Sequence, residues 1–162
     1  PPQRPGNMLY LQIGVPAHLT KDSHKHKEST MSQQSQKFCT SHAKNSTWAT
    51  GLRTFFEYRD LGIGDATHGQ FNAHVIRVKK PVEQFPHTGP HAHDLNFQMF
   101  FVLKGWIKFV YKDHGEHLFE AGDSCLQPPG IVHDEIDCSE DLELIEFTSP
   151  AKFETQVLEA VE

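Results

Sequence analysis

The fold is decided by two stretches of the chain, HAHDLNFQMFFVLKG at residues 91–105 and GDSCLQPPGIVHDEID at residues 122–137. Neutral imidazoles are the commonest metal ligands in proteins. Side chains at i and i+2 of an extended strand point to the same face, so His91 and His93 can bind one ion. His133 follows two turn signals, as a returning strand would supply it. A single histidine here would be well explained as a polar surface residue. Three with this spacing predict a shared metal centre.

The spacing of these residues resembles the two motifs of the cupin superfamily, G-x5-H-x-H-x3,4-E-x6-G and G-x5-P-x-G-x2-H-x3-N. The matching residues of the first motif are His91, His93, Gln98 and Gly105, and those of the second are Gly122, Pro128, Gly130 and His133. The chain departs from the motifs at three positions, with Phe85 for the leading Gly, Asp137 for Asn and Gln98 for the acidic ligand. Cupins are β-barrels, so the resemblance implies an all-β, cupin-type jelly-roll β-barrel.

The resemblance also implies that a divalent ion is held by His91, His93, His133 and Gln98. An amide oxygen coordinates weakly and carries no charge, and Gln98 could instead donate a hydrogen bond beside the site or simply face the core. An ion held by three imidazoles and an amide keeps its double positive charge. The expected substrate is therefore a small organic anion, such as a carboxylate, an enolate or a thiolate.

The reaction is less closely specified than the site. The donor set resembles the three-histidine arrangement of some cupin dioxygenases, and this favours a non-heme Fe(II)-dependent dioxygenase. Imidazole also suits Zn, Ni, Cu and Co, so the metal is left open, with Zn, Ni, Mn and Cu as the alternatives to iron. One alternative is a metal-dependent isomerase or lyase, and another is a non-catalytic cupin that binds a small molecule, because a fold does not fix a reaction.

Short strands separated by turns favour a sandwich or barrel independently of the resemblance. Asn72–Val78 and residues 142–148 show the alternation of a half-buried strand. Residues 99–103 and Trp106–Tyr111 are predicted to form a tight hairpin at Lys104-Gly105. Further short strands are predicted at residues 117–120 and 124–127.

The C-terminal segment fits two structures. Ser149 suits a helix N-cap and Pro150 the first helical position. The helical spacing involves Phe153, Val157, Leu158 and Val161. Thr155 and Val157 also suit an edge strand.

The 162 residues divide into an N-terminal extension, 1–44, and a predicted β-barrel domain, 45–162. The extension carries a net charge of +4 and polar tracts that favour disorder, and the domain carries −10. Met31 is a plausible natural start, which would make residues 1–30 upstream sequence. Residues 8–15 are apolar enough to add a strand or to cross to a partner.

The composition argues against several classes of protein. An acidic domain argues against nucleic-acid binding, which depends on clustered Lys and Arg. No apolar run approaches the roughly 20 residues that a membrane-spanning helix needs, and no signal-peptide pattern is present. The three cysteines (39, 125 and 138) are too irregular for a disulfide framework, so we expect a cytoplasmic protein with reduced thiols. The resemblance to cupins implies a homodimer.

Overall fold

The computed structural model describes residues 35–51, 53–79 and 85–158. These residues form two antiparallel sheets, a short helix α1 (Ile63–Ala66) and a 3-10 turn (Ala43–Asn45). The first sheet has the order β1 (Ala49–Thr50), β2 (Phe56–Asp60), β3 (Asn72–Val78), β10 (Glu143–Ser149), β5 (Phe97–Lys104) and β8 (Ser124–Leu126). The second has the order β11 (Glu154–Val157), β4 (His91–Asp94), β9 (His133–Cys138), β6 (Trp106–Tyr111) and β7 (Gly115–Glu120).

The core lies between the two sheets because successive side chains of each strand point to opposite faces. On β5, Gln98, Phe100 and Val102 are buried, whereas Phe101 and Leu103 are exposed. The buried apolar cluster draws on both sheets and comprises Phe56, Ile76, Val78, Phe100, Val102, Ile107, Phe109, Tyr111, Leu142 and Leu144. This arrangement confirms the predicted all-β jelly roll, including the strand predicted at Asn72–Val78.

The predicted hairpin at Lys104-Gly105 is wrong. β5 pairs with β10 and β8 of the first sheet, whereas β6 pairs with β9 and β7 of the second. Gly105 has φ +68° and carries the chain from one sheet to the other. Ser139 holds this crossing, because its Oγ accepts a hydrogen bond from the Trp106 N–H at 2.9 Å.

We expect Gly105→Ala to destabilise the protein by about 2–4 kcal/mol, because the change combines an unfavourable positive φ with overpacking. An added Cβ would collide with Ser139 Oγ and would lie 3.0 Å from the Leu142 backbone nitrogen. Gly115→Ala is the matched control, since Gly115 has φ +80° and open space around the Cβ position. Urea unfolding should show that Gly105→Ala lowers the free energy of unfolding by at least about 1 kcal/mol more than Gly115→Ala does. Equal losses would contradict this account of the crossing.

The C-terminal segment is a strand, so the predicted helix from Ser149 is wrong and the edge-strand alternative is confirmed for residues 154–157. β11 pairs with β4, with Thr155 opposite His93 and Val157 opposite His91. Pairing along the open edge of β4 outweighs a weak helical spacing, because tertiary context routinely overrides local propensity. Val161 lies outside the described residues.

The described part of the predicted extension lies beside α1. The Lys37 N–H donates to the Ala66 carbonyl at 2.8 Å, and His68 Nε2 lies 3.2 Å from the Ser35 carbonyl oxygen. The boundary between residues 44 and 45 stays a prediction. The predicted strand at residues 8–15 and the start at Met31 lie outside the described residues. In the described part of the chain, no helix is long and apolar enough to cross a membrane.

Candidate metal centre

Two adjacent strands of the second sheet bring three histidines together. His91 and His93 are on one face of β4, and His133 begins β9 directly opposite His91. One ligand atom from each ring lies within 4.8 Å of the other two. His91 and His133 are each only 2% exposed, and His93 is half-buried. The predicted convergence of the three rings is therefore present in the structure.

Hydrogen bonds fix which nitrogen of each ring is available. His91 Nδ1 lies 2.8 Å from the Gly89 carbonyl oxygen, and His133 Nδ1 lies 3.1 Å from that of Ile131. A carbonyl oxygen can only accept, so both Nδ1 atoms carry the proton and both Nε2 atoms keep a lone pair. This is how ligating histidines are usually oriented in metalloproteins. The donor set therefore fits a divalent ion.

Burial keeps the three imidazoles neutral. Burial lowers the pKa of His91, and it lowers those of His93 and His133 to about 4, with a further contribution from the charge that His91 would carry. Imidazole must be unprotonated to bind a metal. The site is therefore in its ligand-competent form at neutral pH.

These pKa values predict that the metal-free protein becomes less stable as the pH falls from about 6.5 towards 4. In this window the unfolded chain binds protons that the buried imidazoles of the folded state do not, so acid favours unfolding. Thermal unfolding of chelator-treated protein at pH 7 and pH 5 measures the effect. Glu135, whose pKa burial raises to about 7, contributes in the opposite direction. Comparison with His133→Gln therefore isolates one imidazole, because Glu135 titrates in both proteins. An equal pH dependence in the two proteins would contradict the prediction.

His93 differs from the other two histidines in its outer partner. Its Nδ1 lies 3.0 Å from the Thr155 hydroxyl oxygen on β11. We expect Thr155→Val to weaken Zn²⁺ binding by about 10- to 100-fold, because loss of a ligand's outer hydrogen bond leaves the ring less well oriented. Thr155→Ser keeps the hydroxyl and should bind Zn²⁺ nearly as the native protein does. Competition titration against a chelator measures both variants, and equal affinities would contradict the assigned role.

A buried hydrogen-bond network surrounds Gln98, which is 3% exposed on the inner face of β5. Gln98 Nε2 donates to Glu146 Oε1 at 2.8 Å. His74 Nε2 lies 2.8 Å from Glu146 Oε2, and Asn72 Nδ2 lies 3.1 Å from His74 Nδ1. Because the Asn72 amide nitrogen donates to Nδ1, His74 carries its own proton on Nε2 and donates it to Glu146.

In this network Gln98 acts as a hydrogen-bond donor, the role that the sequence offered as an alternative to metal coordination. Its amide nitrogen is bound to Glu146, which leaves Oε1 as the atom that could reach an ion. Coordination by Gln98 stays a prediction. Burial alone would raise the pKa of Glu146, but the hydrogen bonds from His74 and Gln98 outweigh burial and lower it. A carboxylate anion therefore lies beside Gln98, although position 98 itself lacks one.

Sequence reasoning missed the pairing of His74 with Glu146. One signal was available, because Glu146 follows Leu142 and Leu144 on the inward side of an alternating strand. A charged side chain at such a position is almost never buried without a partner.

The fold and the site define a class of protein, a two-sheet β-barrel with a buried three-imidazole site suited to a divalent transition metal. Residues 81–147 match the family described as "Cupin domain". The protein therefore contains a cupin domain. No match to a curated protein sequence was found.

Solved structures share the fold at low sequence identity. The polyketide cyclase RemF from Streptomyces resistomycificus is 16% identical, with a TM-score of 0.63, over 77% of this chain and 88% of that one. An RmlC-like cupin from Shewanella frigidimarina NCIMB 400 is 21% identical, with a TM-score of 0.55, over 73% and 96%. The DMSP lyase DddQ from Ruegeria pomeroyi DSS-3 is 15% identical, with a TM-score of 0.53, over 75% and 60%. These similarities establish the fold alone.

Proposed function

We propose that the protein is a mononuclear metal-dependent enzyme that acts on a small organic anion. The observation that carries the proposal is the convergence of His91, His93 and His133. His91 and His133 donate from Nδ1 to backbone carbonyls, so both rings present an unprotonated Nε2. A divalent ion held there supplies positive charge that polarises a substrate oxygen. Three neutral imidazoles do not compensate that charge, which favours an anionic substrate.

The reaction class that the geometry supports best is non-oxidative proton transfer, as in a lyase, an isomerase or a cyclase. Glu146 is held by His74 and Gln98, so its carboxylate is oriented. Its lowered pKa makes Glu146 a weak base that is ionised at neutral pH, so it takes a proton only from a substrate that the bound metal has made more acidic, which is general base catalysis. The cyclase and the lyase among the similar structures support this class by analogy of fold.

The second candidate is the Fe(II)-dependent dioxygenase that the sequence favours. The observation in its favour is the composition of the cluster, in which no carboxylate of the described residues joins the three imidazoles. This donor set matches the three-histidine arrangement to which the resemblance pointed. Iron remains the metal proposed for this reaction, and Zn, Ni, Mn and Cu are proposed for the non-oxidative alternative.

The two candidates differ in their need for oxygen. We would load the full-length protein with Zn²⁺, Mn²⁺, Ni²⁺ or Cu²⁺ under nitrogen and with Fe²⁺ in oxygenated buffer, and supply a panel of small carboxylates, enolates and thiols. Turnover under nitrogen supports the lyase or isomerase class. Oxygen uptake that occurs with substrate and only in the Fe²⁺-loaded protein supports the dioxygenase. His133→Ala treated identically is the control. If the metal-loaded protein were inactive in every arm, the proposal of an enzyme would be contradicted. The non-catalytic cupin that binds a small molecule would then be the remaining alternative.

The homodimer and the cytoplasmic location stay predictions. We propose a homodimer on the family resemblance alone, and sedimentation of the full-length protein tests it. A monomer at every concentration would contradict it.

A further inference from the structure

The outer face of the first sheet is apolar across three neighbouring strands. On β5, every side chain from Phe97 to Leu103 that points away from the core is apolar. Register places Phe147 of β10 and Leu126 of β8 on either side of Met99 in the same face. The exposed members, here called the apolar face, are 36–61% exposed in the single chain and comprise Phe97, Phe101, Leu103, Leu126 and Phe147.

The outer face of the second sheet has the ordinary composition of a solvated face, in which polar residues alternate with buried apolar ones. On β6 and β7 it carries Lys108 and Glu116, whose side chains form an ion pair at 3.1 Å. Leu118 is 52% exposed there, directly opposite Lys108. An isolated apolar side chain on a surface is normal, whereas a contiguous apolar patch marks an interaction site.

Folding of a single chain covers only one side of the outer face of the first sheet. Ala73 and Val75 of β3 belong to this face, because they lie directly opposite Phe147 and Ile145 of β10. Both are buried, although they are not part of the apolar cluster between the sheets. The chain therefore shields the β3 part of the face and leaves the apolar face open.

The apolar face is large enough to form the core of a stable dimer. Its five exposed fractions correspond to about 400 Å² of apolar surface, since a phenylalanine side chain offers about 150–250 Å². A standard interface buries about 800 Å² on each partner, and about 65% of a homodimer interface is apolar. The five side chains therefore supply most of the apolar area that one partner contributes to such an interface.

The charge distribution favours a second copy over a partner of opposite charge. The residues directly opposite Phe101 and Phe97 on the neighbouring strands are the serines Ser124 and Ser149. Glu143 lies only at the end of the face, where β10 begins. Residues 45–162 carry a net charge of −10, so two copies avoid bringing like charges together by meeting through a surface that has none at its centre.

We propose that the apolar face is the interface between two copies of this chain, which meet across a two-fold axis. In such an interface the same patch is used by both subunits, and an uncharged apolar patch is complementary to itself. The inference goes beyond the proposed function and does not rest on it, because the three histidines lie on strands of the second sheet. It assigns a surface to the proposed homodimer from observations that are independent of the family resemblance.

Sedimentation velocity of the full-length protein over a range of concentrations tests the proposal. The native protein should sediment as a dimer at micromolar concentration, with or without bound Zn²⁺. Phe101→Glu and Leu126→Glu should each raise the dimer dissociation constant by about 100-fold or more, because an unpaired carboxylate would enter the interface twice. Both side chains are exposed in the single chain, so both variants should keep the native circular dichroism spectrum. If one variant does not fold, the other still tests the interface.

Leu118→Glu is the matched control. It makes the same substitution as Leu126→Glu at a leucine of similar exposure, but on the outer face of the second sheet. The dimer dissociation constant of this variant should stay within about twofold of that of the native protein.

Two results would overturn the inference. The first is a native protein that is monomeric at every concentration, which would leave the apolar face to another occupant, such as a different protein or residues 8–15. The second is a native dimer whose dissociation constant is unchanged in the folded Phe101→Glu and Leu126→Glu variants, which would place the interface elsewhere. Neither result bears on the metal centre, whose failure appears instead as a protein that binds no divalent ion.

Discussion

Replacing His133 by alanine should reduce the affinity of the protein for Co²⁺ or Zn²⁺ by about 100-fold or more. His133 supplies one of three converging imidazoles, and a typical structural zinc site owes several kcal/mol to each ligand. Its ring is 2% exposed and its Nδ1 is already committed to the Ile131 carbonyl. Among the described residues the cluster holds no fourth His, Cys, Asp or Glu that could replace its Nε2. The visible spectrum of bound Co²⁺, titrated against a chelator, measures the loss.

His117→Ala is the control for this prediction. His117 is an exposed histidine of β7 whose Nε2 lies 3.2 Å from the His114 carbonyl oxygen, and it does not belong to the cluster. This variant should bind the metal within about twofold of native, as expected for a surface substitution away from the site. If His133→Ala retained native affinity, or if His117→Ala lost as much affinity, the centre would be elsewhere.

Replacing Glu146 by glutamine should destabilise the protein by about 2–3 kcal/mol, because one buried donor loses its acceptor. The Glu146 carboxylate accepts hydrogen bonds from Gln98 Nε2 and from His74 Nε2. An amide has only one acceptor oxygen, so in Glu146→Gln a donor of the new side chain faces either Gln98 or His74. Urea unfolding at pH 7 measures the change in the free energy of unfolding.

Glu143→Gln provides a matched comparison on the same strand. Glu143 is the first residue of β10 and, three residues from Glu146, it points to the opposite face of the sheet. Its replacement should change stability by no more than about 0.5 kcal/mol. A His74→Ala, Glu146→Gln double-mutant cycle should give a coupling energy of about 1–3 kcal/mol, the range for residues in one hydrogen-bond network. If Glu146→Gln were as stable as Glu143→Gln, and the double-mutant cycle showed no coupling energy, the hydrogen-bond network would be contradicted.

The histidine cluster was predictable because its signals are local. His91 and His93 share a face by the two-residue period of a strand, and the spacing around His133 marks a second strand that ends beside them. The cupin resemblance rests on the same spacings. None of these inferences needed knowledge of which strands pair.

The rest of the site depends on strand pairing, which local sequence does not specify. His74 and Glu146 are 72 residues apart and meet only because β3 and β10 are neighbours in the first sheet. The hairpin prediction at Gly105 failed for the same reason, since a turn-forming glycine serves equally for a hairpin and for a crossing between sheets. The strand at residues 154–157 likewise depends on the open edge of β4.

Gln98 illustrates how pairing changes the interpretation of a motif. From the sequence it stands alone as an uncharged substitute for an acidic ligand. In the fold its amide nitrogen binds Glu146, so the carboxylate of the site comes from β10 and acts through a hydrogen bond. The register of β10 against β5 brings that carboxylate to Gln98, and no motif spacing could show it.

The most direct test of the central claim is the X-ray absorption spectrum of the full-length protein loaded with Zn²⁺, recorded together with its metal content. The structure predicts one ion per chain and the multiple-scattering pattern of three imidazole ligands, at zinc–nitrogen distances of about 2.0–2.1 Å. A spectrum with fewer than three imidazoles, or a protein that retains no stoichiometric ion, would contradict the claim that His91, His93 and His133 share one metal.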